Sequence, residues 1–291
     1  IFIGLFVFFC CLSPDMSIDS LKSVLLIGIT VGIIYGLVAV GISLIYTGLD
    51  IVNFSHGEFF MLGAFTGLTI YNFIVDGELI YKIFPEAYGW IGYVIGLFFA
   101  FIAMGLFGVL VERLFFRPLT RKGGGYTVAG MGIIICGFGM SVVLQNLAYV
   151  IWKPSPHAFN AELGMPINIA GLTLPMTYLW MLVTGFVVSA ALYLFLNKTK
   201  MGLGIRAVAH SKDISNLVGI NVPLYISITF GIACAIAGVA GTLVGPTYQV
   251  VIYMGYIILL KAFASAVVGG FGSLPGAIVG GFTVGLFETM G

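Results

Sequence analysis

The chain has 291 residues, of which 60% are apolar and 8% charged, against roughly 25% charged in a typical soluble domain. Its mean hydropathy of +1.14 exceeds what a water-exposed surface of this size can hide, which excludes a soluble protein. Apolar excess also excludes disorder, and the near balance of 12 basic and 11 acidic residues argues against binding a polyanion such as nucleic acid; a polytopic membrane protein remains.

Residues 1–12 (IFIGLFVFFCCL) look like the apolar core of a signal peptide without its basic leading region. The expectation is a signal-like or truncated apolar segment over 1–15. A single transmembrane domain then fills 16–291 and is cut short at its C-terminus.

Charge-free intervals place the spans, since a helix needs about 20 apolar residues to cross the bilayer core. Helices are predicted over 24–46, 55–74, 90–111, 126–151, 174–196, 224–245 and 275–290. The stretch 247–271 is apolar but less regular. Pro246 precedes it, Lys261 interrupts it, and Gly269, Gly270 and Gly272 end it. That pattern predicts a broken or re-entrant helix, and segment 47–58 (TGLDIVNFSHGE) is a second candidate for irregular backbone at membrane depth. The runs do not alternate as the strands of a β-barrel would. The predicted fold is an all-α polytopic membrane protein of about eight transmembrane or partly re-entrant helices.

Loop 112–125 carries Arg113, Arg117, Arg121 and Lys122, and loop 197–223 carries Lys198, Lys200, Arg206 and Lys212. Two spans separate these loops, so both lie on one side, and the positive-inside rule makes it cytoplasmic. Loops 75–89 and 152–173 then face outward. Glycines at 28, 32 and 36, and the pairs 241/245, 276/280 and 281/285, form small-xxx-small steps. These speak for close helix packing, not for a particular function. Cys10, Cys11, Cys136 and Cys234 lack zinc-site spacing and are read as small apolar side chains.

No phosphate-binding GxxxxGK[ST] loop, HExxH or GxSxG occurs. No catalytic residue and no metal site is expected, because His56, His157 and His210 fall in different segments.

Three stretches carry chemistry. Asn53-Phe54-Ser55-His56-Gly57-Glu58 sets polar groups where an apolar span begins. As a helix start, Asn53 or Ser55 caps it and Glu58 favours the positive end of the dipole. As a pathway, the same groups line a route through the membrane. Both readings stand at this point. The loop 197–223 predicts one short amphipathic helix over 203–218. Leu203, Ala207, Ile214 and Leu217 share one face, Arg206, His210 and Asp213 another, and Gly219 is the C-terminal cap. It either lies on lipid headgroups or docks into a partner's groove. Lys261 stands between the charge-free intervals 214–260 and 262–287. It either snorkels to an interface or serves function. The GGFGSLPG run after it cannot be regular helix.

NFSHGEFFMLGAF (53–65) resembles the NFAHGE signature of LivH-type permeases of branched-chain amino-acid ABC importers. KTKMGLGIRAVAHSKDISNLVGIN (198–221) is similar to that family's cytoplasmic loop, and KAFASAVVGGFGSLPGAIVGG (261–281) to its third signature. The motifs occur in the family's order over about 24–291. The resemblance implies a multi-pass inner-membrane permease subunit that moves branched-chain, hydrophobic amino acids into the cytoplasm by alternating access. It implies a homologous LivM-type permease, two cytoplasmic ATPase subunits and a periplasmic binding protein as partners. No cofactor is expected on this chain; ATP-Mg belongs to the partner ATPases. Carried onto this sequence, Gly202, Arg206, Ala207, Asp213 and Gly219 are the coupling positions. Asn53, His56, Gly57, Glu58, Lys261, Gly269, Gly270, Gly272, Ser273 and Pro275 are pathway or hinge positions. Two rivals remain: a sister importer for urea, short amides or a sugar, and an ATP-independent secondary transporter.

Overall fold

The computed structural model describes residues 18–50, 52–76, 88–122, 126–161, 163–169 and 172–290. The apolar segment 1–15, with Cys10 and Cys11, and most of loop 75–89 lie outside the described residues.

The long apolar runs form α1 (Ile18–Leu49), α2 (His56–Asp76), α3 (Tyr88–Val111), α5 (Tyr126–Trp152), α6 (Met176–Lys198) and α9 (Val222–Val244). These six are long and apolar enough to cross a membrane. α10 (Met254–Gly269) and α11 (Leu274–Met290) are shorter, with 16 and 17 residues. At 1.5 Å per residue they span about 24 and about 26 Å, less than the roughly 30 Å of bilayer core. A π-helical turn (Glu112–Phe116) and α4 (Arg117–Lys122) continue α3, and α7 (Lys200–His210) and α8 (Lys212–Leu217) lie between α6 and α9. A two-stranded antiparallel hairpin, β1 (Ile167–Ile169) with β2 (Leu172–Leu174), sits in the loop before α6.

α1, α2 and α9 form the centre, where nearly every residue from Val31 to Ile45 and from Ala233 to Val244 is buried. α3, α5 and α6 surround them and turn Phe98, Val150 and Val187 outward, as lipid-facing helices do. Glycine makes the central contacts close. A Cβ on Gly281 would overlap the backbone of Gly32 and Gly36, and one on Gly285 that of Gly28 and Gly32. The α1 steps therefore seat α11 backbone to backbone, the packing that small residues give in lipid.

Three expectations need correction. First, 203–218 is not one helix. The chain breaks at Ser211, whose extended backbone ends α7 and whose hydroxyl accepts the Ile214 N–H to start α8. Serine competes for backbone hydrogen bonds in this way and favours a cap over a helix interior. Second, the face predicted from Leu203, Ala207, Ile214 and Leu217 is divided between two helices, the first two residues on α7 and the last two on α8. Third, Lys261 does not mark a break: it sits inside regular α10. The break follows at 270–273, where Gly270 (φ 86°) and Gly272 (φ 84°) adopt the left-handed region open to glycine. Ser273 then starts α11, its hydroxyl accepting the Gly276 N–H at 3.2 Å. Gly219 (φ 85°) closes α8 as expected, with the Ile220 N–H donating back to the Ser215 carbonyl.

Candidate functional site

Irregular backbone at 47–58 is present. α1 ends at Leu49, Asp50 turns the chain at φ 60°, and helix resumes only at His56. The His56 ring lies against Gly41, where a Cβ would overlap it. Gly41 stands eight residues before Leu49, about 12 Å up the axis of α1. α2 therefore begins well inside the bundle, and 50–55 is the chain's return to that depth.

At this buried helix start the cap and pathway readings are partly reconciled. Asn53 caps: its Oδ1 accepts the Ser55 N–H at 3.0 Å and the Ser55 hydroxyl at 2.8 Å. Glu58 does more than face the dipole. Its Oε1 accepts the Ser141 hydroxyl and the Gln145 amide of α5, each at 2.8 Å. Asn53, Ser55, His56 and Glu58 are all buried. Among the described residues, Glu58 Oε2 and Asn53 Nδ2 find no hydrogen-bond partner. Gly57 serves packing, since a Cβ there would overlap the Gly255 carbonyl of α10. α1, α2, α5 and α10 thus converge around the first signature.

Lys261 forms a second polar centre with two residues that sequence reasoning missed. Its Nζ donates to Glu288 Oε1 of α11 at 2.5 Å and to the Tyr35 hydroxyl of α1 at 3.2 Å. The Tyr35 hydroxyl donates to Glu288 Oε2 at 2.7 Å, and the ammonium lies 5.5 Å from the Tyr35 ring centroid. The signal for Glu288 was available: it is the first charge after the interval that follows Lys261. Tyr35 gave none, as one aromatic in an apolar helix. Beside the triad is a cavity of about 320 Å³, walled by Ile34, Met181, Val244, Met254 and Ile257.

The remaining third-signature residues lie eight or more positions past Lys261, where α10 passes into α11. A Cβ on Gly269 would overlap the Gly276 backbone, so α10 and α11 fold into a tight hairpin. Gly270, Gly272 and Ser273 make its turn, and Pro275 stands in the first turn of α11. That turn and the end of α1 share a cavity of about 250 Å³ with α7, lined by Thr47, Arg206, Ser273 and Pro275.

Of the coupling positions, Gly202 seats α7 on α6, and Gly204 beside it packs on Tyr225 of α9. Thr199 caps α7 by accepting the Gly202 N–H at 2.9 Å. Arg206 donates to Asn197 Oδ1 at 3.1 Å, and Ala207 is half-buried. Asp213 and Gly219 are exposed, as are Leu203, Ile214, Leu217 and Val218. α8 is tied to the end of α1 by the Lys212–Asp50 ion pair at 2.6 Å. A further buried charge escaped the sequence reading. Glu112, in the π-helical turn, pairs with Arg117 at 3.2 Å and accepts the Ser227 hydroxyl of α9 at 2.6 Å.

A family model described as branched-chain amino acid transport system / permease component matches residues 24–291. The high-affinity branched-chain amino acid transport system permease protein LivH of Escherichia coli K12 is 32% identical over 271 residues, 90% of this chain and 83% of that protein. BraD of Pseudomonas aeruginosa PAO1, described in the same words, is 32% identical over 276 residues, 91% of this chain and 84% of its own. A probable branched-chain amino acid transport permease of Methanocaldococcus jannaschii is 24% identical over 260 residues, 87% of this chain and 76% of its own. No solved structure matches the chain.

Proposed function

The chain belongs to the branched-chain amino acid transport system permease family, and on that premise we propose that it carries branched-chain, hydrophobic amino acids into the cytoplasm as the membrane subunit of an ATP-driven importer. It is a multi-pass membrane transport protein and not an enzyme. ATP-Mg is bound and hydrolysed on two partner ATPases. A homologous LivM-type permease completes the pathway, and a periplasmic binding protein delivers cargo.

The observation that carries the reading is the α7–α8 segment. It presents Leu203, Ile214, Leu217 and Val218 to the cytoplasmic side with no partner from the bundle, as a helix-in-groove contact requires. Its inner face shares a cavity with the α10–α11 turn and, through Lys212, is tied to the end of α1. A push from closing ATPases on α7 and α8 then reaches α1 directly, and α10 and α11 through it. Those helices hold the Lys261 centre, and α10 also abuts the start of α2. The irregular stretches 50–55 and 270–273 are where backbone torsions absorb the change. ATP biases the two packings only through its different affinity for them, acting through the partners.

Uptake of labelled leucine, and separately of labelled urea, into vesicles holding the assembled importer tests the reading. ATP-dependent leucine uptake without urea uptake is expected. Urea uptake alone, or leucine uptake by this chain without ATPase subunits, would overturn it.

A further inference from the structure

We infer that the Lys261–Glu288–Tyr35 centre and its adjoining cavity form a transit site for a zwitterionic amino acid with an apolar side chain. The inference rests on the importer reading and names the residues of this chain that would hold the cargo. Lys261 takes the α-carboxylate, Glu288 takes the α-ammonium, and the Tyr35 hydroxyl swings from Glu288 to the carboxylate.

Four observations support it. The first is depth. Tyr35 stands fourteen residues before Leu49, about 21 Å along α1 from its cytoplasmic end. The centre is therefore well away from the coupling segment.

The second is access. The side chains of Lys261 and Glu288 keep 33% and 39% of their accessible surface, and both line the cavity. Both charges can therefore be reached by a small solute.

The third is complementarity. The cavity of about 320 Å³ is at the small end of ligand pockets, roughly 300–1,000 Å³. Its walls of Ile34, Met181, Val244, Met254 and Ile257 suit a branched aliphatic side chain. Tyr35, Lys261, Glu288, Tyr248 and Gln249 add polar groups to the same lining, so the cavity offers both an apolar wall and charges of either sign.

The fourth is charge balance. The empty site is neutral because Lys261 and Glu288 pair with each other. An incoming zwitterion exchanges one ion pair for two and leaves the site neutral again. A cation or anion alone would strand one protein charge in low dielectric, which is costly. Neutral urea or a sugar offers neither charge in exchange. Release is built in as well, since Lys261 and Glu288 re-form their own pair when the cargo leaves.

The test uses the whole importer in nanodiscs. Ile257→Cys is placed in a background whose four native cysteines are replaced by alanine. Labelling by a membrane-impermeant maleimide is timed with and without a non-hydrolysable ATP analogue. Leucine, 3-methylbutylamine and 4-methylpentanoate are added separately at tens of millimolar. Leucine is expected to slow labelling at least threefold in one nucleotide state, and the amine and the acid to leave it unchanged. No protection by leucine, or equal protection by all three, would overturn the inference. In parallel, Glu288→Gln is expected to lower leucine uptake at least tenfold with the ATPase subunits still co-purifying. Uptake within twofold of wild type would overturn the assignment. If that variant fails to assemble, the Ile257→Cys protection, made with the native pair, decides alone. A wild-type importer that takes up no leucine overturns the importer reading instead, so the two failures are distinct.

Discussion

Glu58 and Gln145 meet across the interface of α2 and α5, the amide donating to the carboxylate at 2.8 Å. With the Ser141 hydroxyl on the same oxygen, this contact fastens a peripheral helix to the buried start of a central one. α5 turns Met131, Ile135, Val142 and Val150 outward, so its hold on the bundle depends on a few contacts. Phe54 stacked on Phe138 and Trp152 on Phe65 are the others that stand out.

Glu58→Ala would leave two buried donors unanswered. A buried donor stranded by the loss of its acceptor costs on the order of 1–3 kcal/mol. A loss of about 3 kcal/mol in stability is expected, with Glu58→Gln losing less because its carbonyl still accepts. Thermal unfolding of the purified permease, followed by tryptophan fluorescence, measures both. Equal midpoints for Glu58→Ala and wild type would mean that α5 is held by its aromatic contacts.

The glycine seam between α1 and α11 gives a sharper contrast. Gly281 has the Gly32 and Gly36 backbone where a side chain would go, whereas Gly139 on α5 has open space. Gly281→Ile therefore cannot be accommodated without separating two central helices, and overpacking of this kind costs at least about 1–3 kcal/mol. Folded, detergent-extractable protein should fall several-fold for Gly281→Ile and stay unchanged for Gly139→Ala, as read by fluorescence-detected size-exclusion chromatography.

The coupling segment can be separated from the transport path by function. Arg206 holds Asn197 and faces the α10–α11 turn, but touches neither the Glu58 nor the Lys261 centre. Arg206→Glu should leave membrane insertion intact and lower leucine uptake at least tenfold while the assembled importer still hydrolyses ATP. Leu217→Asp acts earlier, at the exposed apolar face, and should reduce co-purification of the ATPase subunits. Normal uptake by Arg206→Glu would sink the coupling assignment.

How much of this was legible in the sequence follows from what each feature depends on. Spans and their order were readable, because bilayer thickness acts on a continuous run of one chain. Gly270 and Gly272 announced the turn after α10, since local backbone chemistry decides a break. Ser211 did not, because its split of α7 from α8 depends on whether its hydroxyl caps a new helix or is left in an old one. Partners across the bundle were the hidden part. Lys261 was picked out by its isolation, but Glu288 and Tyr35 reach it only once α10 and α11 fold back on α1. Ser141 and Gln145 likewise gain meaning only when Glu58 is set against α5.

Glu112 is the clearest case of a role that sequence could not show, and it carries the last prediction. It is the one acidic residue of loop 112–125. The structure buries it in the π-helical turn at the end of α3. There it answers both Arg117 from the next turn and the Ser227 hydroxyl from α9, while Arg117 also donates to Ser227 and to the Pro223 carbonyl at the start of α9. A π-helical turn often accompanies a functional site, because the extra residue re-aims side chains. Here it turns the carboxylate toward α9, directly after the segment proposed to receive the ATPase. Removing one member of a buried pair strands the other and costs about 3–5 kcal/mol, whereas replacing both with well-packed apolar groups is often close to neutral. Arg117 is 23% exposed against 3% for Glu112, so solvent screens part of the loss and the lower end applies. Arg117→Met, which strands the buried Glu112 carboxylate, should therefore lower the unfolding midpoint clearly, and Glu112→Leu, which leaves the part-exposed guanidinium its Pro223 contact, less. The double variant should recover most of the difference in a double-mutant cycle. If the three effects simply add, the pair contributes nothing as a pair, and the cytoplasmic end of α9 is held by its packing alone.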